Sequence, residues 1–271
     1  MIYLSLRNYV LTRPLVQRSY HYLISKIIGC YIISFPKSGR TWLRMLLAQA
    51  ISMKTGKRLT LDVYKMTFGS KIINVATDPR PGNYSSFNPD KLKIPKQFKN
   101  KKIIFLVRDP RDVVVSYFFE WTKRRKLIYE KGLSDFIKED FTLKQIVSYM
   151  NLWAEQMNKR ENQFLMIKYE NIHKNPRREL NRMLNFLKIE ISENTKHEAV
   201  INSSFDNMFG MEKGEIFKGD HRLQPTNKED RESYKMRKGK IGDHLNHFSK
   251  SDLDYVNNVI RNNLNLCFNY N

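Results

Sequence analysis

The sequence predicts a single α/β domain of three layers, a central parallel sheet flanked on both faces by helices. Three short apolar runs, Cys30–Phe35, Lys102–Val107 and Phe164–Lys168, lack strict polar alternation, as strands buried on both faces require. An amphipathic pattern follows each run, so strand and helix alternate along the chain. Each run also stops just before polar residues suited to a ligand: Lys37, Arg108 and Tyr169. Ligands in open α/β sheets bind beyond the strand C-termini, so the three ends are expected to share one edge. The 271 residues suffice for one such core, and no Gly/Pro/Ser-rich linker or internal repeat divides them.

The first element pair is the most informative. Ser34 to Arg44 reads Ser-Phe-Pro-Lys-Ser-Gly-Arg-Thr-Trp-Leu-Arg and leads into the apolar Met45-Leu46-Leu47-Ala48, a strand, tight turn and helix in succession. A helix N-terminus offers unpaired N–H groups and partial positive charge, so a phosphate fits the turn. The Walker pattern is absent, because the Lys precedes the Gly and no G-x-x-x-x-G-K-[ST] occurs. Ile72–Ala76 reads as a further strand, followed by Asp78 before Pro79. After Lys102–Val107, Asp109 suits an N-cap and Pro110 the first helical position, which puts Arg108 at a strand end and Ser116 two turns into the helix. Thr122–Asp140 is charged; beyond it Ile146, Met150, Trp153 and Met157 recur at helical spacing, a core stripe. Asn175-Pro176 starts a helix that carries Leu180, Met183, Leu184 and Leu187 on one face. Residues 206–240 are polar and rich in Lys, Glu, Asn and Gly, and read as a loop region over a ligand site.

Pro36-Lys37-Ser38-Gly39 with Thr41-Trp42 resembles the 5′-phosphosulfate loop of the sulfotransferases, which use 3′-phosphoadenosine 5′-phosphosulfate (PAPS). Four more stretches match that family in order: Arg108 to Ser116, Tyr169-Glu170, Ser203-Ser204-Phe205 and Arg237-Lys238-Gly239. The resemblance implies a P-loop-containing nucleotide-binding-like fold and transfer of a sulfuryl group to a hydroxyl or amine by in-line displacement. It implies that Lys37 meets the bridging oxygen as that oxygen becomes anionic. Ser38, Gly39, Arg40 and Thr41 would hold the 5′-phosphate, and Arg108, Ser116, Arg237, Lys238 and Gly239 the 3′-phosphate. Trp42, Tyr169, Ser203 and Phe205 would contact the adenine. The family often has Thr where Arg40 stands, so Arg40 either adds charge or covers the loop.

The chain departs from the pattern at the acceptor base. Cytosolic members carry a His before the second signature strand, whereas Asn74–Arg80 has none. Asp78 is the expected base; its other reading is an Asp that starts a turn before Pro79. His221, His244 and His247 stand next in line, since His titrates near neutrality. The dimer motif of cytosolic members is also incomplete at Leu245–Asp254, so the oligomeric state is not readable.

Lys and Arg total 48 against 27 Asp and Glu, a formal charge of +21 that favours anionic ligands. The lysines are spread along the whole chain, as in a generally basic surface. Two readings compete with sulfuryl transfer: a P-loop kinase or NTPase, which needs a Walker Lys and a Mg²⁺ carboxylate, and a non-catalytic polyanion or nucleic-acid binder, which leaves the ordered motifs unexplained. No specific nucleic-acid partner is expected; the acceptor is a small molecule, lipid or carbohydrate. Cys30 and Cys267 form no disulfide framework, and no metal site is expected, with His244 and His247 read as loop histidines. Residues 1–28 mix apolar residues with Arg7, Arg13, Arg18 and Lys26, which fits a helix packed on the domain or peripheral membrane contact. No apolar run reaches the ~20 residues of a membrane span, so a cytoplasmic member of the family is expected.

Overall fold

The computed structural model describes residues 29–63, 73–76, 94, 98–124, 129–214, 223, 225 and 227–270. The N-terminal segment 1–28, Asp78 and His221 lie outside them. Four strands, β1 (Cys30–Ile33), β2 (Ile73–Ala76), β3 (Lys102–Val107) and β4 (Phe164–Lys168), form one sheet in the order β2-β1-β3-β4. All three pairings are parallel, as expected: Cys30 lies beside Ile73 and Lys102, and Ile103 beside Phe164. β1 is shorter than the apolar run suggests. Past Ile33 the chain turns, and the Phe35 carbonyl accepts from the Ser38 amide at 3.4 Å.

Alternate residues of the strands feed opposite faces. Tyr31, Ile33, Ile103, Phe105 and Val107 join one core, and Cys30, Ile32, Ile104 and Leu106 the other. The first face is covered by α2 (Pro110–Phe119), the short α3 (Leu133–Phe136) and α4 (Leu143–Lys159). The second is covered by α1 (Arg40–Thr55), on the far side of the sheet. The stripe Ile146, Met150 and Trp153 is core as expected, with Met157 packed at its margin. After β4 come α5 (Tyr169–Lys174), α6 (Pro176–Leu187) and α7 (Glu193–Asn202); Leu180, Met183, Leu184, Leu187 and Ala199 join the second core. α9 (Lys250–Asn263) returns to the first face through Val256 and Ile260.

The caps are those the sequence announces. Asp109 Oδ1 accepts from the Arg111 amide at 2.9 Å with Pro110 next, and Asn175 Oδ1 accepts from the Arg178 amide at 2.9 Å with Pro176 next. One expectation is corrected. The polar stretch from 206 is not all loop, because Phe205–Lys213 forms α8. Ser204 caps it by accepting from the Asn207 amide, and Met208 is buried with Met45, Leu61 and Leu223. Met211 packs at the margin of the same cluster, so a good cap and these two apolar anchors hold the helix.

Because β1 lies between β2 and β3, the connections leaving β1 and β3 run to opposite sides. That arrangement opens a crevice at the C-terminal ends of β1 and β3. Trp153 holds the sheet behind it, fully buried against the rings of Phe98, Phe105, Tyr149 and Phe164. Trp153→Ala is expected to cost about 3–5 kcal/mol. Urea denaturation should show a lower midpoint at an unchanged slope; an unchanged midpoint would contradict this packing.

Candidate active site

The turn after β1 is strained where it meets the crevice. Lys37 has φ 72°, a left-handed conformation uncommon for a residue with a side chain, and Gly39 follows at φ 92°. A Cβ on Gly39 would sit 2.4 Å from Cδ2 of Tyr169, so only glycine lets the turn lie on that ring. No side chain caps α1, and its first turn holds no acidic residue. The helix N-terminus therefore brings uncompensated partial positive charge to this turn.

One cavity of about 330 Å³ lies there. Its wall takes Lys37, Gly39, Arg40, Thr41 and Trp42 from the first turn, Arg108 and Ser116 from β3 and α2, and Tyr169 from α5. Phe205 and the late segment Arg237, Lys238 and Gly239 also contribute to it. Of the site residues singled out in the sequence that are described, all but two line this cavity. Ser38 is buried within the turn, and Ser203 is buried behind the wall, where its carbonyl accepts from Trp42 Nε1 at 2.8 Å. Its neighbour Ser204 takes the place at the wall.

Arg108 ties these segments together. Its Nη1 donates to the Lys37 carbonyl at 3.3 Å and its Nη2 to the Lys240 carbonyl at 3.1 Å. The guanidinium stacks 4.4 Å from the centre of the Tyr169 ring and lies 3.5 Å from Asp112 Oδ2, while its buried Nε–H has no hydrogen-bond partner among the described residues. Asp112 in turn accepts from the Gly242 amide at 2.9 Å, the His244 amide at 3.1 Å and His244 Nδ1 at 2.8 Å. Burial alone would raise the Asp112 pKa, but the His244 bond, the Arg108 charge and the two amides outweigh it and hold it low. His244 is therefore a buried partner of Asp112 in a short 3₁₀ turn, Asp243–Asn246, rather than a loop histidine at an acceptor mouth.

The late segment is charged and braced. Arg237 donates to Glu232 Oε2 and Asp243 Oδ2, both at 3.0 Å, and stacks 4.5 Å from the Phe119 ring centre. Lys238 Nζ lies 3.3 Å from Asp243 Oδ1 and from His247 Nε2. Buried Glu212 of α8 accepts from the Lys235 and Met236 amides at 2.7 and 2.8 Å. Gly239, at φ 64°, lies on Phe205 as Gly39 lies on Tyr169; a Cβ there would be 2.4 Å from the ring.

Sequence reasoning missed Glu120, His173 and Lys235. Glu120 Oε2 accepts from Lys37 Nζ at 2.8 Å and lies 3.9 Å from Lys235 Nζ. His173 packs edge-on against Trp42 and Tyr169, with Nε2 bonded to the Gly239 carbonyl. A signal existed for two of them: Glu120 is four residues after Ser116, and His173 four after Tyr169, each one helical turn past a recognised position. Lys235 carried no such mark.

A parallel α/β sheet with phosphate-suited cations gathered at its switch point is the arrangement of a nucleotide-binding α/β protein. The family model of the sulfotransferase domain matches residues 30–268, and the chain belongs to that family. It is 28% identical over 256 residues to Sulfotransferase 1 family member D1 of Mus musculus, covering 83% of this chain and 81% of the relative. It is likewise 28% identical over 247 residues to Sulfotransferase 1E1 of Bos taurus, covering 83% of this chain and 81% of that one. The crystal structure of mouse sulfotransferase SULT7A1 complexed with PAP has the same fold, with a TM-score of 0.60 at 20% identity over 87% of this chain and 84% of the other. Among the described residues no helix is long and apolar enough to cross a membrane, and no group of His, Cys, Asp and Glu is arranged to hold a metal ion.

The Asp243 carboxyl gives a measurable acid limit. Burial would raise its pKa, but the Asn246 hydrogen bond and the Arg237 and Lys238 charges lower it from 3.8 to about 2. Its contribution to stability is complete above about pH 4 and is lost as pH falls towards about 2. Asp243→Asn should therefore be less stable than wild type at pH 6, by on the order of 2 kcal/mol, with the gap closing by pH 2. Urea denaturation at several pH values checks this; a gap independent of pH would refute it.

Proposed function

We propose that this chain transfers the sulfuryl group of PAPS to a hydroxyl or amine of a small acceptor. The observation that carries the reading is the convergence in one cavity of the Lys37–Trp42 turn, Arg108 with Ser116, and Arg237–Gly239. Its cations and rings suit a nucleotide that carries phosphates on both the 5′ and the 3′ position of its ribose. The uncapped α1 N-terminus and the turn suit the 5′-phosphate. Arg108, whose Nε–H is buried and unpartnered among the described residues, suits the 3′-phosphate together with Ser116. The rings of Trp42, Tyr169 and Phe205 suit a purine.

Transfer asks little covalent chemistry of the protein. The acceptor oxygen or nitrogen bonds to sulfur, the bond from sulfur to the phosphate oxygen breaks, and its electron pair stays on that oxygen. Lys37 meets the charge that grows there, and the turn fixes the line of attack. The acceptor proton leaves to a base, for which Asp78 is the candidate. The SULT7A1 structure with PAP, the donor without its sulfuryl group, supports the choice of nucleotide. Family membership favours this reading over the kinase and polyanion-binder alternatives.

Thermal denaturation with PAP, ATP-Mg²⁺ or an oligonucleotide tests the choice of ligand. PAP should raise the melting temperature with a concentration dependence set by its Kd, and the other two should not. Stabilisation by ATP-Mg²⁺ alone would favour the kinase reading.

The cavity also divides the labour among its cations. Arg108→Ala and Ser116→Ala are expected to weaken PAP binding, since they meet charge that does not change during transfer. Lys37→Ala is expected to lower turnover by ~10²–10³ at saturating donor, measured with radiolabelled PAPS across phenol, alcohol and amine acceptors. Undiminished turnover in Lys37→Ala would defeat its assignment.

A further inference from the structure

Glu120 puts a buried carboxylate against the one lysine that the proposed reaction needs. It is the first residue of a π-helical segment, Glu120–Arg124, that continues α2. Such wide turns shift the side chains that follow relative to an α-helix and recur at functional sites. Here Oε2 meets Lys37 Nζ at 2.8 Å, with both side chains about nine-tenths buried. The same oxygen has a second lysine, Lys235, at 3.9 Å, and Lys235 also lines the cavity. The other carboxylates close to the cavity also face its cations, but they tie them to the late segment: Asp112 lies beside Arg108 while taking two backbone amides and His244, and Asp243 takes Arg237, Lys238 and Asn246. Glu120 holds the lysine of the first turn, the cation that the proposed reaction uses.

We infer that Glu120 is a positioning residue that competes with the nucleotide for the Lys37 ammonium. This rests on the sulfotransferase reading given above. A charge-assisted bond of 2.8 Å fixes the long Lys37 side chain and keeps its ammonium charge compensated away from water. A phosphate or bridging oxygen entering the cavity draws on the same ammonium. Lys235 makes the exchange feasible, because the carboxylate keeps a cation within 4 Å when Lys37 turns towards the nucleotide. The site thereby trades nucleotide affinity for control of where Lys37 points. The expected consequence is that removing the Glu120 charge tightens product binding, in a manner that depends on Lys37.

The test is a double-mutant cycle on PAP affinity, measured by calorimetry on the full chain, with thermal melting of every variant. Glu120→Gln should bind PAP about five-fold tighter than wild type, the order expected for freeing one nearby charge in a partly solvated site. In the Lys37→Met background the same substitution should change affinity less than two-fold, because only the more distant Lys235 ammonium is left to contest. Glu120→Asp, which keeps the charge, should stay closer to wild type than Glu120→Gln does. An equal gain in both backgrounds would mean a general repulsion of anions and would overturn the inference. So would unchanged or weaker binding by Glu120→Gln, whether or not its melting temperature falls. Wild-type protein that does not bind PAP at all would remove the functional reading, and this inference with it; wild-type binding without the coupling would remove this inference alone.

Discussion

Asp112 has no exposed side-chain surface, and its two oxygens face Arg108, two backbone amides and the His244 ring. The amides and the ring belong to a segment about 130 residues further along the chain. A carboxylate buried so far from water is tolerable only with partners of this number and quality. In meeting its own demand it pins the late segment to the first turn of α2. Arg108, held in the same knot, then fixes the Lys37 turn and Lys240 through their carbonyls. Three remote pieces of chain thus acquire a common origin of coordinates, and the cavity wall is built outward from it.

The sheet supplies the other half of the construction. Strict alternation of side chains sends β1 and β3 residues into two separate cores, so both faces carry helices and the crevice can open only at the strand ends. Placing β1 between β2 and β3 then parts the neighbouring connections where the cations emerge. The strain at Lys37 and the close ring contact at Gly39 are stored on this rigid frame, where parallel ladders on both sides of β1 resist relaxation.

Much of this is legible in the sequence because it is local. Strand ends, the Asp109-Pro110 and Asn175-Pro176 starts, and the Lys37–Trp42 turn follow from residue type and short spacing. What stayed hidden depends on contacts between distant segments. Nothing near Asp112 announces that Gly242 and His244 will close on it. Glu120 reads as one more acidic residue entering a charged stretch until the fold brings it onto Lys37, which is distant in the sequence. α8 is short and lies within a stretch that is polar as a whole, and the role of its Glu212 depends on the Lys235 and Met236 amides more than twenty residues away. Ser203 and Ser204 are adjacent, and only the onset of α8 decides which of the two reaches the wall.

Two aromatic rings occupy the space where Gly39 and Gly239 would otherwise carry a side chain. Each contact couples the history of two positions. A glycine here cannot gain even a methyl group while its ring remains, so Tyr169 or Phe205 must shrink before the turn beneath it can change. Relatives that diverge at these turns are then expected to have passed through a smaller residue at the ring position first, which makes the order of substitutions, and not only their sum, a property of this pocket.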